Sequence, residues 1–122
     1  MDREVLFRGK RVDNGKWVYG YYCRYGYTGK AKKYIIPHYA SDLYAFEVIP
    51  ETIGQFTGLA DKNGQMIFEG DIAMYDDDFC EIVYRNDDAM FYAKFDNVLE
   101  SFGNIAGSWL DVIGNIHDEG AQ

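Results

Sequence analysis

Two histidines, two cysteines and three serines are all that this 122-residue chain holds of the side chains that most often carry chemistry. Their placement removes further options. His38 follows a proline and His117 follows the last apolar run. Neither has a second histidine or a cysteine at ligand spacing, which argues against a zinc site. Cys23 and Cys80 lie far apart and match no metal or redox spacing. We read both as reduced and partly buried thiols, with a disulfide as the alternative. Ser41, Ser101 and Ser108 lack the glycine elbow or neighbouring histidine that activates a nucleophile. The pentapeptide "GYTGK" at 26–30 has neither the spacing nor the following helix of a phosphate loop. No catalytic residue, metal or cofactor is assigned on these grounds.

Long apolar runs are missing as well. The chain opens Met1-Asp2-Arg3-Glu4, straight into charges. We therefore expect no signal peptide, no membrane span and a cytoplasmic location.

What the chain does hold is aromatic and apolar: 48% hydrophobic and 17% aromatic residues, with 11 tyrosines and 8 phenylalanines. That composition excludes wholesale disorder. At this length a chain buries roughly 65% of the surface its unfolded form exposes, enough for a core without staples. We expect a single β domain over 1–122, with 116–122 as a polar tail. The net charge of −8 is unevenly spread. Residues 1–40 carry nine Lys and Arg against three Asp and Glu, a balance of +6; residues 41–122 carry three against seventeen, a balance of −14. Such asymmetry suits head-to-tail self-association, intramolecular pairing or two faces with different partners. Plainly solvated faces are the simpler alternative.

Strand patterns dominate. Residues 4–12 and 16–25 flank Asp13-Asn14-Gly15, and Asn-Gly supplies the positive φ of a tight hairpin. "KKYIIP" (Lys32–Pro37) and "YAFEVIP" (Tyr44–Pro50) are apolar runs stopped by proline, which has no amide proton for a ladder. "DIAMY" (Asp71–Tyr75), "FCEIVY" (Phe79–Tyr84), "AMFYAKF" (Ala89–Phe95) and "SWLDVIGNI" (Ser108–Ile116) follow, separated by polar turns. Only Asp96–Phe102 has room for a helical turn. Nothing shows sustained 3.6-residue periodicity. The expected fold is all-β, a small antiparallel barrel or sandwich of short strands with little or no helix.

The segment "IPETIGQFTGLADKNGQMIFEGDI", Ile49 to Ile72, holds four glycines and no histidine, cysteine or serine. Asn63-Gly64 predicts a tight turn, and Gly70 a bend before the next strand. Met66 and Phe68 are expected on one face, Ile67 and Glu69 on the other. Gly54 and Gly58 suit an irregular crossover with Phe56 and Leu59 plugging the core. This reading is structural and needs no substrate.

Taken in order, "LFRGKRVDNGKWVYGYY", "IPETIGQFTGLADKNGQMIFEGDI" and "DVIGNIHD" resemble the YopX family of phage and prophage proteins. Phe68 stands where tyrosine is expected, and Ala73 where valine is expected; both changes are conservative for a strand. The resemblance implies an all-β fold and a phage or prophage origin in a bacterial host. It implies no reaction, since it carries no catalytic residues.

Two charged regions remain. Asp76-Asp77-Asp78 lacks the alternate spacing and the glycine of a metal loop and reads as a solvated turn. The segment 19–34, "YGYYCRYGYTGKAKKY", interleaves tyrosines with Arg24, Lys30, Lys32 and Lys33. Rings stack on bases and cations neutralise phosphates on small barrels that bind single strands. The same composition marks protein-contact hot spots. The plain alternative is a tyrosine-rich strand with half its rings in the core.

Tyr19, Tyr21, Arg24, Tyr25, Lys32 and Lys33 are the candidate contact surface. We expect a non-enzymatic interaction module that binds a protein partner or copies of itself. Single-stranded nucleic-acid binding through the same segment is the alternative, opposed by the overall acidity. A hydrolase or metal-dependent enzyme on the acidic half lacks a nameable nucleophile, base and oxyanion donor. Acidic mimicry of DNA would need the carboxylates on one face.

Overall fold

The computed structural model describes residues 6–26, 31–37, 45–102 and 109–118. Among them there is no α-helix, and the strands form two antiparallel sheets. Neither sheet closes on itself by any pairing among these residues, so the fold is all-β but not a closed barrel. The chain divides into two compact units, residues 1–56 and 57–122.

The first unit is built on strands β1 (Phe7–Lys10), β2 (Trp17–Tyr25), β3 (Lys32–Pro37) and β4 (Phe46–Glu47). Strand β5 (Gly54–Ala60) begins in this unit and pairs with β1, giving the order β4-β3-β2-β1-β5. The Asn-Gly signal lies where the sequence places it, but the hairpin is wider than a two-residue turn. The Arg11 amide donates to the Lys16 carbonyl and the Gly15 amide to the Arg11 carbonyl, each at 2.9 Å. Asn14 Oδ1 accepts from the Lys16 amide, which pins the turn through a side chain.

Val18, Ile35 and Val48 form the core of this unit, joined by Phe7, Tyr22, Phe46 and Ile53. Gly9 faces Val48, and a Cβ at position 9 would lie 3.0–3.2 Å from three Val48 atoms. Pro37 ends β3 as expected. The run Tyr44–Pro50 contributes a strand only at Phe46–Glu47; Tyr44 lies outside the described residues. Pro50 instead opens a 3₁₀ turn over Pro50–Thr52, where its missing amide costs nothing. Thr52 Oγ1 accepts from the Lys10 amide at 2.8 Å and donates to the Ile49 carbonyl at 2.7 Å, tying this turn to β1.

In the second unit β5 continues beside β6 (Met66–Phe68). Strands β7 (Asp71–Tyr75), β8 (Asp78–Arg85), β9 (Met90–Phe95), β10 (Val98–Ser101) and β11 (Asp111–Asn115) form a sheet in the order β10-β9-β8-β7-β11. The core is Ile67, Ala73, Cys80, Ile82, Ala93 and Leu110, with Tyr75, Phe95, Phe102 and Val112 against it.

Two expectations are corrected here, and one open segment is assigned. Residues 54–60 are a strand, not an irregular crossover, and Leu59 is 39% exposed instead of filling the core. A ladder partner on each side satisfies the backbone and outweighs the weak strand preference of Gly54 and Gly58. Residues 98–101 are a strand, within the one segment, Asp96–Phe102, that left room for a helical turn. Val98 pairs with Phe95, so Asp96-Asn97 form a two-residue turn, a role those residues suit better than helix. Met66 and Phe68 do not share an environment: Met66 is exposed, whereas Ile67 and Phe68 are both buried. The Asp71 carboxylate accepts the Phe68 amide at 2.7 Å, which bends the chain there and interrupts the alternation.

Candidate functional site

Strand β2 separates its aromatic residues by face. Tyr22 turns inward, packs on the Val18, Ile35 and Val48 cluster and lies 5.6 Å from the Phe7 ring. Side chains alternate along a strand, so Trp17, Tyr19, Tyr21, Cys23 and Tyr25 share the opposite face. Tyr19 is 38% exposed, Tyr21 50% and Tyr25 79%, a rising series toward the C-terminal end of β2.

The register of β3 extends this face. Tyr25 lies opposite Lys32, Cys23 opposite Tyr34 and Tyr21 opposite Ile36. Directly opposed residues share a face, so Lys32, Tyr34 and Ile36 join the tyrosines. Arg24 and Lys33 oppose each other and belong to the other face. The structure therefore divides the six candidate residues: Tyr19, Tyr21, Tyr25 and Lys32 stand together, and Arg24 and Lys33 project away from them. Lys30 lies outside the described residues.

Strand β1 supplies the other end. Arg8 is paired with Tyr19 and Lys10 with Trp17. The Arg8 guanidinium lies 4.6 Å from the Trp17 ring centre and the Lys10 ammonium 5.5 Å from it, both within cation–π range. Lys32 comes within 3.9 Å of Glu47, a solvent-exposed pair of small energetic weight. A second close ion pair lies in the first unit: Arg11 holds Asp13 through two bonds of 2.9 and 2.6 Å while its guanidinium covers the Phe46 ring at 4.0 Å. That Arg11 hydrogen bond is the main cause of the lowered Asp13 pKa.

The acidic second unit uses its buried polar groups for architecture. Asp61 Oδ1 accepts the amides of Asn63 and Gln65, and Oδ2 accepts the amide of Val112, all at 2.9 Å. The Lys62 amide donates to the Leu110 carbonyl at 3.0 Å, and the Asn63 side-chain amide to Asp111 at 3.0 Å. The turn at Asp61–Gly64 thus caps the outer edge of β11. Burial disfavours ionisation of Asp61, but the amides of Val112, Gln65 and Asn63 outweigh it and Lys62 adds to them, so the pKa lies below the ordinary carboxylate value.

Asn115 repeats the device at the other end of β11. Its Oδ1 accepts the amides of His117 and Asp118, and its Nδ2 donates to Asp118 at 2.7 Å. Sequence reasoning missed Asp61, Asp71 and Asn115. For Asp61 and Asn115 the available signal was Asp or Asn two residues before a turn, the pattern by which these side chains bond their own backbone; Asp71 follows its turn and accepts from Phe68, three residues earlier.

Asp76-Asp77 form the β7–β8 turn, with Asp76 at φ 54°, and Asp78 opens β8 opposite Tyr75. Among the described residues no group of three His, Cys, Asp or Glu stands close enough to hold a metal ion. Both cysteines are free thiols, and burial pushes the Cys80 pKa up to about 11. Tyr92 donates to Asp88, which raises its pKa. Among the described residues no helix is long and apolar enough to cross a membrane.

The profile of the YopX protein family matches residues 6–121, essentially the whole chain. The chain belongs to the YopX protein family. No curated protein matches it. Of the blocks that carry the YopX likeness, the middle one contains Asp61, Gly64 and Asp71, and the last one Asn115 and Asp118. Their hydrogen bonds account for these residues as scaffold. The first block holds Trp17, Tyr19 and Tyr21 on one face of β2, with Tyr19 and Tyr21 exposed.

Proposed function

We propose that this YopX protein is a non-enzymatic interaction module of phage or prophage origin, acting in the cytoplasm of a bacterial host. It binds a protein surface, and most simply a second copy of itself, through the outer face of the β2–β3 hairpin. One observation carries the reading: Tyr19, Tyr21 and Tyr25 lie exposed in a row on one strand while Tyr22, between them, packs against the core from the other face. Tyrosine offers a large apolar ring with a polar tip and little rotamer freedom to lose, which makes it a preferred contact residue. Rings standing in a row on an open sheet constitute a surface that a partner would cover.

Single-stranded nucleic acid is the second reading. It is favoured by Lys10 beside Trp17 on the same face, with rings repeating every two residues, about 7 Å. It is disfavoured by Arg24 and Lys33, which stand on the other face, and by the net charge of −8.

Sedimentation of the parent and of Tyr21→Ser/Tyr25→Ser tests the first reading. A concentration-dependent assembly that the double substitution abolishes supports it. A parent that stays monomeric but binds a labelled oligothymidylate at low salt transfers the face to nucleic acid.

A further inference from the structure

On the outer face of the second unit's sheet, β7, β8 and β9 present a depression of about 310 Å³ lined by Ile72, Phe79, Cys80, Glu81, Lys94, Asp96 and Ile116. Ile72, Glu81 and Lys94 stand in one cross-strand row. Phe79 is 60% exposed and Ile116 48%, and Leu99, opposite Lys94, is exposed beside them. Phe79 is the least expected of these. A phenyl ring that finds no core place at the start of a strand is an uncovered apolar surface. The depression joins such apolar walls to two carboxylates, Glu81 and Asp96, with one cation, Lys94. Asp76, Asp77 and Asp78 add further negative charge at the start of β8 next to Phe79.

We propose that this depression is the docking site for the β2–β3 tyrosine face of a second copy, so that self-association is head-to-tail. The inference rests on the interaction-module reading and adds the receiving surface. Complementarity is the argument. The tyrosine face is amphipathic and carries Lys10 and Lys32, with Glu47 offsetting Lys32 at 3.9 Å, while Arg24 and Lys33 on the opposite face of the same strands contribute to the positive field. The depression offers apolar contact for phenol rings and carboxylates that accept from phenol hydroxyls and pair with lysine. The charge division along the chain, +6 before residue 41 and −14 after it, has the sense this contact needs. Tyrosines meeting tyrosines in a symmetric dimer would place like charges against each other. Because donor and acceptor faces differ, the contact is heterologous and builds rings or open chains.

Complementation by mixing tests the proposal. Tyr21→Ser/Tyr25→Ser removes the donor face, and Phe79→Ser/Ile116→Ser removes the acceptor. Each variant alone is expected to sediment as a monomer, with self-association weakened by about tenfold or more. Mixed in equal amounts, they are expected to form a heterodimer and stop there, since each supplies the surface the other has lost. If Phe79→Ser/Ile116→Ser assembles like the parent while the tyrosine variant does not, self-association through β2–β3 stands and its assigned receptor is wrong. A mixture that remains monomeric overturns the head-to-tail contact in the same way. A parent that is monomeric at every concentration removes the underlying reading and this inference with it. Should the serine substitutions unfold the chain, Asp96→Lys at the exposed β9–β10 turn serves instead. It must weaken assembly and leave the melting temperature unchanged, and assembly equal to the parent's again overturns the proposal.

Discussion

The carboxylate of Asp61 accepts a hydrogen bond at 2.9 Å from the amide of Val112, 51 positions further along the chain. One buried side chain thereby closes its own turn and caps the free edge of β11, since its other oxygen holds the amides of Asn63 and Gln65. An uncapped edge strand is an open template for pairing with another chain. Asp61→Ala leaves three amides without their acceptor. It is expected to destabilise the fold by about 3 kcal/mol, counting three bonds to a charged group as less than additive. Urea denaturation of parent and variant measures this, and a difference inside the error would mean that water replaces the carboxylate at no cost.

The same carboxylate makes stability depend on acid. Its folded pKa is below the ordinary value of 3.8, because the three amides and Lys62 outweigh burial. The unfolded chain takes up this proton at higher pH than the folded one, so the contribution is present above the unfolded value and fades as the pH falls through the folded value. Asp61→Asn removes the titrating group and leaves only one side-chain oxygen, so that an amide –NH2 donor faces a backbone N–H. The stability gap between parent and Asp61→Asn is expected to hold from pH 7 to about 5 and to narrow below the unfolded carboxylate value. A gap that stays constant or widens on further acidification contradicts the assignment.

Gly9 and Gly64 need to be glycine for different reasons. Gly64 has φ +82° with nothing within 4 Å of an added Cβ, so Gly64→Val meets only backbone strain, roughly 1–3 kcal/mol. Gly9 has ordinary backbone geometry but would press a Cβ to 3.0 Å from Val48. Gly9→Ala is therefore expected to cost about 1–3 kcal/mol by overpacking, and the loss should shrink when Val48→Ala makes room. Double-mutant melting decides: coupling between positions 9 and 48 is expected, and none between 64 and 48.

The two thiols should differ in reactivity. Cys80 is buried with its pKa raised to about 11, leaving almost no thiolate at pH 8. Cys23 is half-buried on the tyrosine face. Iodoacetamide at pH 8 is expected to alkylate Cys23 in the folded protein and Cys80 only after denaturation, as read by peptide mass. Equal labelling of both would show that the second core opens readily.

Arg24→Glu, Lys32→Glu and Lys33→Glu together should weaken self-association while the melting temperature holds, because Arg24 and Lys32 are exposed and Lys33 only half-buried. High salt is expected to weaken the parent's assembly in the same direction by screening. Parent and variant eluting alike would remove charge from the account of assembly.

Much of the fold is local and could be read along the chain. Lys32–Pro37 and Asp71–Tyr75 are strands over the residues where β-branched and aromatic side chains cluster, and the turn at Asn63-Gly64 adopts the positive φ that Asn-Gly favours. Strands β5 and β10 were illegible because glycine and charged residues have weak strand preference, and a ladder with distant partners decides their state. The alternation of Tyr21 and Tyr22 to opposite faces follows from strand geometry alone. Which ring is buried does not: Tyr22 is covered by Val18, Ile35 and Val48, contributed by three separate segments.

Sequence by itself determined that this protein is β-rich, aromatic and divided in charge, since propensity, turn chemistry and composition act within a few residues. Tertiary structure decided that Asp61 is an edge cap, that Lys33 joins Arg24 on the face away from the exposed tyrosines, and that Phe79 and Ile116 border a depression. Each of these depends on register and burial, and those are set by which remote segments meet.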